Sequence, residues 1–203
     1  MLLLKKTTHP KNQEREDVVE SREVWRTDAQ PKLDINKIVA LDESSVNLGY
    51  TRLYGWAPSN ERVNEGVVDV RFERQSILST MRINGEIEPI VFDGTLNSAI
   101  MCKYIETIAP KLAPDDIVLL DNSSVHISKS VKETLKKFNV NFWYIPKYSP
   151  DLNPIELMWA YIKAILRKLK ARTVDKLHEA LKTAFDAVTP ELIKSWFYHY
   201  GYR

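Results

Sequence analysis

Three acidic residues stand where a carboxylate could do chemistry rather than simply face water. Asp42 closes the run Lys37-Ile38-Val39-Ala40-Leu41, Asp121 closes Ile117-Val118-Leu119-Leu120, and Glu156 follows Asn153-Pro154-Ile155 at a helix start. Carboxylates that converge from separate elements are hard-oxygen ligands for divalent cations. A pair of such cations stabilises both the attacking and the leaving oxygen of a phosphoryl transfer. Structural roles compete with this reading at each position. Strand-end aspartates commonly serve turns. With Asn153 as N-cap and Pro154 as the first helical residue, Glu156 occupies the position from which a capping-box glutamate folds back onto the N-cap amide. If Glu156 is structural, Asp151 is the nearby acid to replace it as third ligand.

The elements that must position these acids are legible from periodicity. The two apolar runs, rich in β-branched residues, predict buried strands that each deliver an acid at the carboxyl end. Further strands are expected over Tyr50–Trp56, Gln75–Ile83, Ile87–Phe92 (after a turn at Gly85) and Asn141–Ile145. Helices are expected over Asn12–Trp25, Leu96–Leu112, Ser128–Phe138, Val174–Val188 and Pro190–Tyr200, the last with Thr189 as N-cap and Gly201 as stop. In the helix that begins at Asn153, about 100° per residue gathers Ile155, Met158, Trp159, Ile162, Ile165, Leu166 and Leu169 into one core-facing stripe. Lys163, Arg167 and Lys170 fall on the flank that carries Glu156.

Bulk properties set the frame. At 203 residues with 44% apolar and 28% charged residues, the chain is in the range of an ordinary globular protein with one main domain. A formal charge of +2 is too small to identify a nucleic-acid partner without the distribution of the basic residues. The single cysteine, Cys102, excludes an internal disulfide and reads as a small core residue. The Leu2–Leu4 run is cut off by Lys5 and Lys6, too short for a signal peptide or membrane span. A cytoplasmic, nucleoid-associated protein without a membrane partner is expected.

The sequence around the acids adds a resemblance. Ser149-Pro150-Asp151-Leu152-Asn153-Pro154-Ile155-Glu156 closely resembles the third catalytic motif of mariner-superfamily transposases, particularly the bacterial insertion-sequence branch. Leu41-Asp42-Glu43-Ser44 resembles the first motif, and Leu120-Asp121-Asn122 followed by His126 resembles the second. The 34 residues between Asp121 and Glu156 match the family spacing, and Tyr54-Gly55-Trp56-Ala57-Pro58 and Gly201-Tyr202 are further landmarks.

The resemblance runs from about Asn36 to the end and implies an α/β, ribonuclease-H-like fold, a mixed sheet flanked by helices. It implies Asp42, Asp121 and Glu156 as catalytic metal ligands for Mg2+ or Mn2+, two ions per site, and DNA cleavage and joining without a covalent protein intermediate. It also implies double-stranded DNA partners, a TA target and a homodimer on paired ends. Residues 1–35 are then a linker segment with a short helix and 36–203 the catalytic domain. Members of the family carry N-terminal helix-turn-helix domains, for which the stretch before Asn36 has no room, so a fragment or a split reading frame is expected. A nuclease of the same fold and a non-catalytic DNA-binding regulator are the competing readings.

Four neighbours of the acids are expected to support them. Glu43 follows Asp42 on its strand and so points to the opposite face, outside the metal site. Asn122 and His126 could orient a water or contact phosphate, with capping of the helix near Ser128 as the alternative for His126. Asn153 starts the helix of Glu156. Lys163, Arg167 and Lys170 are expected to track the DNA backbone. The aromatic cluster Trp196, Phe197, Tyr198, Tyr200 and Tyr202 is expected to dock the last helix on the core.

Overall fold

The computed structural model describes residues 10–52, 54–66 and 74–203. Five strands form one mixed sheet: β1 (Ile38–Asn47), β2 (Arg74–Arg82), β3 (Ile90–Asp93), β4 (Ile117–Leu120) and β5 (Phe142–Tyr144), in the order β3-β2-β1-β4-β5. β1 is antiparallel to β2 and parallel to β4, and β4 is parallel to β5. β1 is central, so both its faces are covered: Ile38, Ala40 and Val46 join one core, and Val39 and Leu41 the other. That explains its unbroken apolar run.

One core is roofed by α2 (Ser98–Ile108) and α3 (Lys129–Lys137), which connect β3 to β4 and β4 to β5. The other is roofed by α4 (Ile155–Leu169), α5 (Val174–Asp186) and α6 (Pro190–His199), with α1 (Glu16–Val24) against the same side through Trp25. No helix among the described residues is long and apolar enough to cross a membrane.

The expected helices are present with trimmed ends. Asn97 caps α2 by accepting from the Ile100 N–H at 3.0 Å, and Pro110 ends it in a tight turn over Ala109–Lys111. Thr189 caps α6, and Gly201 stops that helix at φ +84°. Trp196, Phe197 and Tyr202 are buried, the docking expected of the aromatic cluster, while Tyr198 is exposed. Cys102 packs half-buried against the α2–α3 core.

Three expectations need correction. No strand forms at residues 50–52 or 54–56, and Leu53 lies outside the described residues. β1 already has a partner on each edge, and Tyr54 and Trp56 stand fully in solvent, so the aromatic residues there have no sheet to join. β3 begins at Ile90 rather than Ile87, because Pro89 has no N–H for the ladder and leaves Ile87 with a lone bridge to Met81. On α4 the stripe is buried at Ile155, Met158, Trp159, Ile162 and Leu166 and half-buried at Ile165, but Leu169, in the last turn before the left-handed Lys170, is exposed.

Candidate active site

The β1–β4 register pairs Ile38 with Ile117, Val39 with Val118 and Ala40 with Leu119. Continued past the end of β4, it sets Asp121 level with Asp42 on the neighbouring strand. Adjacent strands lie about 4.8 Å apart, so the first two acids are brought side by side by strand pairing alone. Asp42 is buried, and its Oδ2 accepts a hydrogen bond from Trp159 Nε1 at 3.2 Å. Burial raises its carboxyl well above the usual range, and the charges of Glu156, Glu43 and Asp121 raise it further. Glu156, in the first turn of α4, is raised by burial and by Asp121 and Glu43, with Lys163 opposing. Glu156 and Asp121 line one cavity of about 350 Å³ together with Asn122, Ser149 and Asn153.

The capping alternative for Glu156 does not form. Asn153 has extended backbone angles and Pro154 helical ones, as expected of an N-cap and first helical residue. Yet no side chain caps the helix: the Asn153 N–H donates to the Pro150 carbonyl, and Asn153 Oδ1 is buried without a partner.

His126 is fully buried between two carboxylates. Its Nδ1 meets Asp121 Oδ1 at 2.5 Å and its Nε2 stands 3.2 Å from Glu43 Oε2, close enough for an ion pair though not aligned as a hydrogen bond. It therefore neither caps α3 nor reaches solvent phosphate. Glu43 does lie on the other strand face, yet its length brings it to the histidine that also holds Asp121. Asn122 Nδ2 donates to the Ile145 carbonyl and ties the end of β4 to the end of β5.

Burial opposes charge on the His126 imidazole, but Asp121 and Glu43 outweigh it and push the ring up to about 10. Asp121 is correspondingly lowered: burial works against it, and the His126 bond and the Ser123 N–H prevail. A histidine raised above its unfolded value of about 6.5 stabilises the fold fully below that value, and the contribution is lost as pH rises towards about 10. In the metal-free chain both His126 ring nitrogens are expected to carry protons at pH near 7.5 by nitrogen-15 NMR. A neutral ring at that pH would contradict the bridge.

The donor set suits a hard divalent cation, since two of the three acids are raised, first by burial and then by neighbouring carboxylates whose repulsion a cation would relieve. As the side chains stand, no group of three or more His, Cys, Asp and Glu among the described residues is close enough to hold an ion.

Residues 37–178 match the family described as DDE superfamily endonuclease. The chain belongs to that family. Among curated relatives, the Tcb2 transposase of Caenorhabditis briggsae is 32% identical over 73 residues, 36% of this chain and 27% of that protein. The Tc3 transposase of Caenorhabditis elegans is 34% identical over 79 residues, 37% of this chain and 23% of that protein. The matched stretch thus spans about a quarter of these relatives.

The fold is that of the Mos1 mariner paired end complex with Mn, at TM-score 0.79, 20% identity, and coverage of 98% of this chain and 64% of that one. The crystal structure of the Mos1 catalytic domain matches at TM-score 0.69 and 18% identity, covering 96% and 91%. The ribonuclease-H-like fold expected from the motifs is therefore present, and the chain carries a DDE-type catalytic domain.

Within this DDE domain the three basic residues on the flank of α4 differ in their surroundings. Lys163 is half-buried, its ammonium lowered by burial, with Glu156 opposing. Arg167 lies over the Tyr50 ring at 5.4 Å, and Lys170 pairs with Glu65. Two of the three are thus engaged within the chain. Trp159 was legible only as core, although its place one turn after Glu156 was the available sign that it faces the same end of the sheet.

Proposed function

We propose that the chain is the catalytic domain of a cut-and-paste DNA transposase, with Asp42, Asp121 and Glu156 as the catalytic ligands. The observation that carries this is the register that sets Asp42 level with Asp121, with Glu156 near enough that its charge and that of Asp121 add to the effect of burial on Asp42. Two divalent cations, Mg2+ or Mn2+, would when bound supply water activation and stabilisation of the leaving oxygen. Trp159 fixes Asp42, and His126 fixes Asp121. Asn153 lines the same cavity, and its Oδ1 is buried without a hydrogen-bond partner. Hydrolysis of a DNA phosphodiester then frees a 3′-hydroxyl that attacks target DNA in line, without a protein nucleophile.

The third motif supports membership of the bacterial insertion-sequence branch, a TA target, and a cytoplasmic, nucleoid-associated protein. The Mos1 structures, described as paired-end complexes and one of them with a transposon end, support double-stranded DNA as partner, and the resemblance of the motifs supports a homodimer as the active form. The start of the family match at residue 37 supports reading 1–35 as a linker segment and 36–203 as the catalytic domain.

Nicking of supercoiled plasmid by the purified chain, dependent on added Mg2+ or Mn2+, tests the proposal. DNA retained without cutting points to the regulator reading instead. Binding is expected to be mainly to phosphates, with Lys163 the first contact, so affinity for duplex DNA should fall at least about tenfold between roughly 50 and 200 mM salt. Fluorescence anisotropy on duplexes of unrelated sequence measures this. Salt-insensitive selection of one terminal repeat would contradict it.

A further inference from the structure

The turn that leads into Glu156's helix is held by a contact that joins two distant parts of the chain. Arg22, in α1, is nine-tenths buried, and its guanidinium forks onto Asp151, Nη1 to Oδ1 at 2.8 Å and Nη2 to Oδ2 at 2.6 Å. Nη1 also donates to Ser149 Oγ at 2.7 Å. Arg26 adds a longer bond to Asp151 Oδ2, and Gln13 Nε2 donates to the Tyr148 carbonyl at 2.5 Å. Tyr148 itself has φ +56°, a left-handed conformation that a non-glycine residue keeps only where its surroundings enforce it.

α1 is fastened separately to the sheet, since Trp25 packs edge-on against Trp143 of β5, with ring centroids 6.2 Å apart. Arg22 therefore connects an anchored helix to the turn at residues 148–153. The other side of that turn, through Ser149 and Asn153, walls the cavity that Asp121 and Glu156 share.

We propose that Arg22 is a positioning residue of the acid site, fixing the turn at residues 148–153 so that α4 starts with Glu156 aimed into the cavity. This rests on the metal-ligand reading of the acids. The same fork keeps Asp151 out of the metal site although it is only five residues from Glu156. Lysine cannot replace the function, because a point charge has no two-pronged match to a carboxylate.

The test is Mn2+ binding to the full 203-residue chain by calorimetry, run beside plasmid nicking and thermal melting. Arg22→Gln and Arg22→Lys are each expected to raise the Mn2+ concentration at half-saturation about 10- to 100-fold, the range for residues that orient metal ligands from behind. Asp151→Asn is expected to do the same, and Arg22→Gln combined with Asp151→Asn to be no worse than either alone. A purely structural Arg22 would lower the melting temperature and leave the Mn2+ midpoint within threefold of the parent, which overturns the proposal.

If Arg22→Gln shows no cooperative melting, Asp151→Asn and Ser149→Ala decide instead. A midpoint shift in either supports the proposal, and unchanged midpoints in both overturn it. A parent chain that neither binds Mn2+ nor cuts DNA overturns the metal-ligand reading and this inference with it. A parent that does both, with unaltered variants, overturns this inference alone.

Discussion

Asp42→Asn is expected to abolish metal-dependent DNA cleavage while raising the melting temperature of the metal-free chain at neutral pH. The carboxylate is buried and its protonation equilibrium is shifted upward by burial and by three neighbouring acids. For an acid raised on folding, stability is fully present below the unfolded carboxylate range, near pH 4, and is lost as pH rises through the folded value. At neutral pH the acid therefore costs stability that it does not cost at low pH. Asparagine has nearly the same shape and keeps an oxygen for the Trp159 N–H, so the packing and the hydrogen bond survive while the charge does not.

Each kcal/mol recovered should appear as a rise of about 2–4 °C in a chain of this size. Loss of a charged ligand from a two-metal site should reduce cleavage on the order of a thousandfold. Melting curves with chelator present, together with plasmid nicking, check both halves. Cleavage within tenfold of the parent would remove Asp42 from the catalytic set.

Glu156→Gln separates ligand from helix cap more sharply than the sequence could promise. Gln keeps the size and one side-chain oxygen of Glu, and the structure has no capping bond for it to lose, because the Asn153 N–H is already given to Pro150. Stability is expected to change by less than about 1 kcal/mol. Cleavage is expected to fall by orders of magnitude, since a neutral amide is a poor ligand for a hard divalent ion. If nicking instead stays within a few-fold of the parent, the third ligand lies elsewhere. Asp151 would be a difficult substitute, with both its oxygens held by Arg22.

Sequence reading worked where a local pattern has one geometric meaning. The runs ending at Asp42 and Asp121 specify strands because four consecutive apolar residues, two of them β-branched, suit a strand covered on both faces. The α4 stripe specifies a helix for the same kind of reason. It was less successful where the outcome depended on partners far away in the chain. The aromatic residues from Tyr50 to Trp56 have the propensity for a strand, but both edges of β1 were already taken.

The site divides in the same way. Asp42, Asp121 and Glu156 were visible as strand and helix ends. The Glu43–His126–Asp121 bridge spans strand faces that alternation keeps apart, and nothing in the spacing announces it. Arg22 and Asp151 are separated by most of the chain, so only the folded structure reveals that they meet.

The side-by-side register of the first two acids also governs which changes of length the chain can survive. A strand presents alternate residues to opposite faces. One residue gained or lost between Ile38 and Asp42, or between Ile117 and Asp121, would therefore turn an acid towards the wrong core and unseat every apolar neighbour along with it. The exposed segment around Tyr54–Gly66 carries no such parity. Natural variation in length should accordingly gather there, and peptide tags or fluorophore-bearing insertions meant to leave the acid site intact belong between Ser59 and Val63.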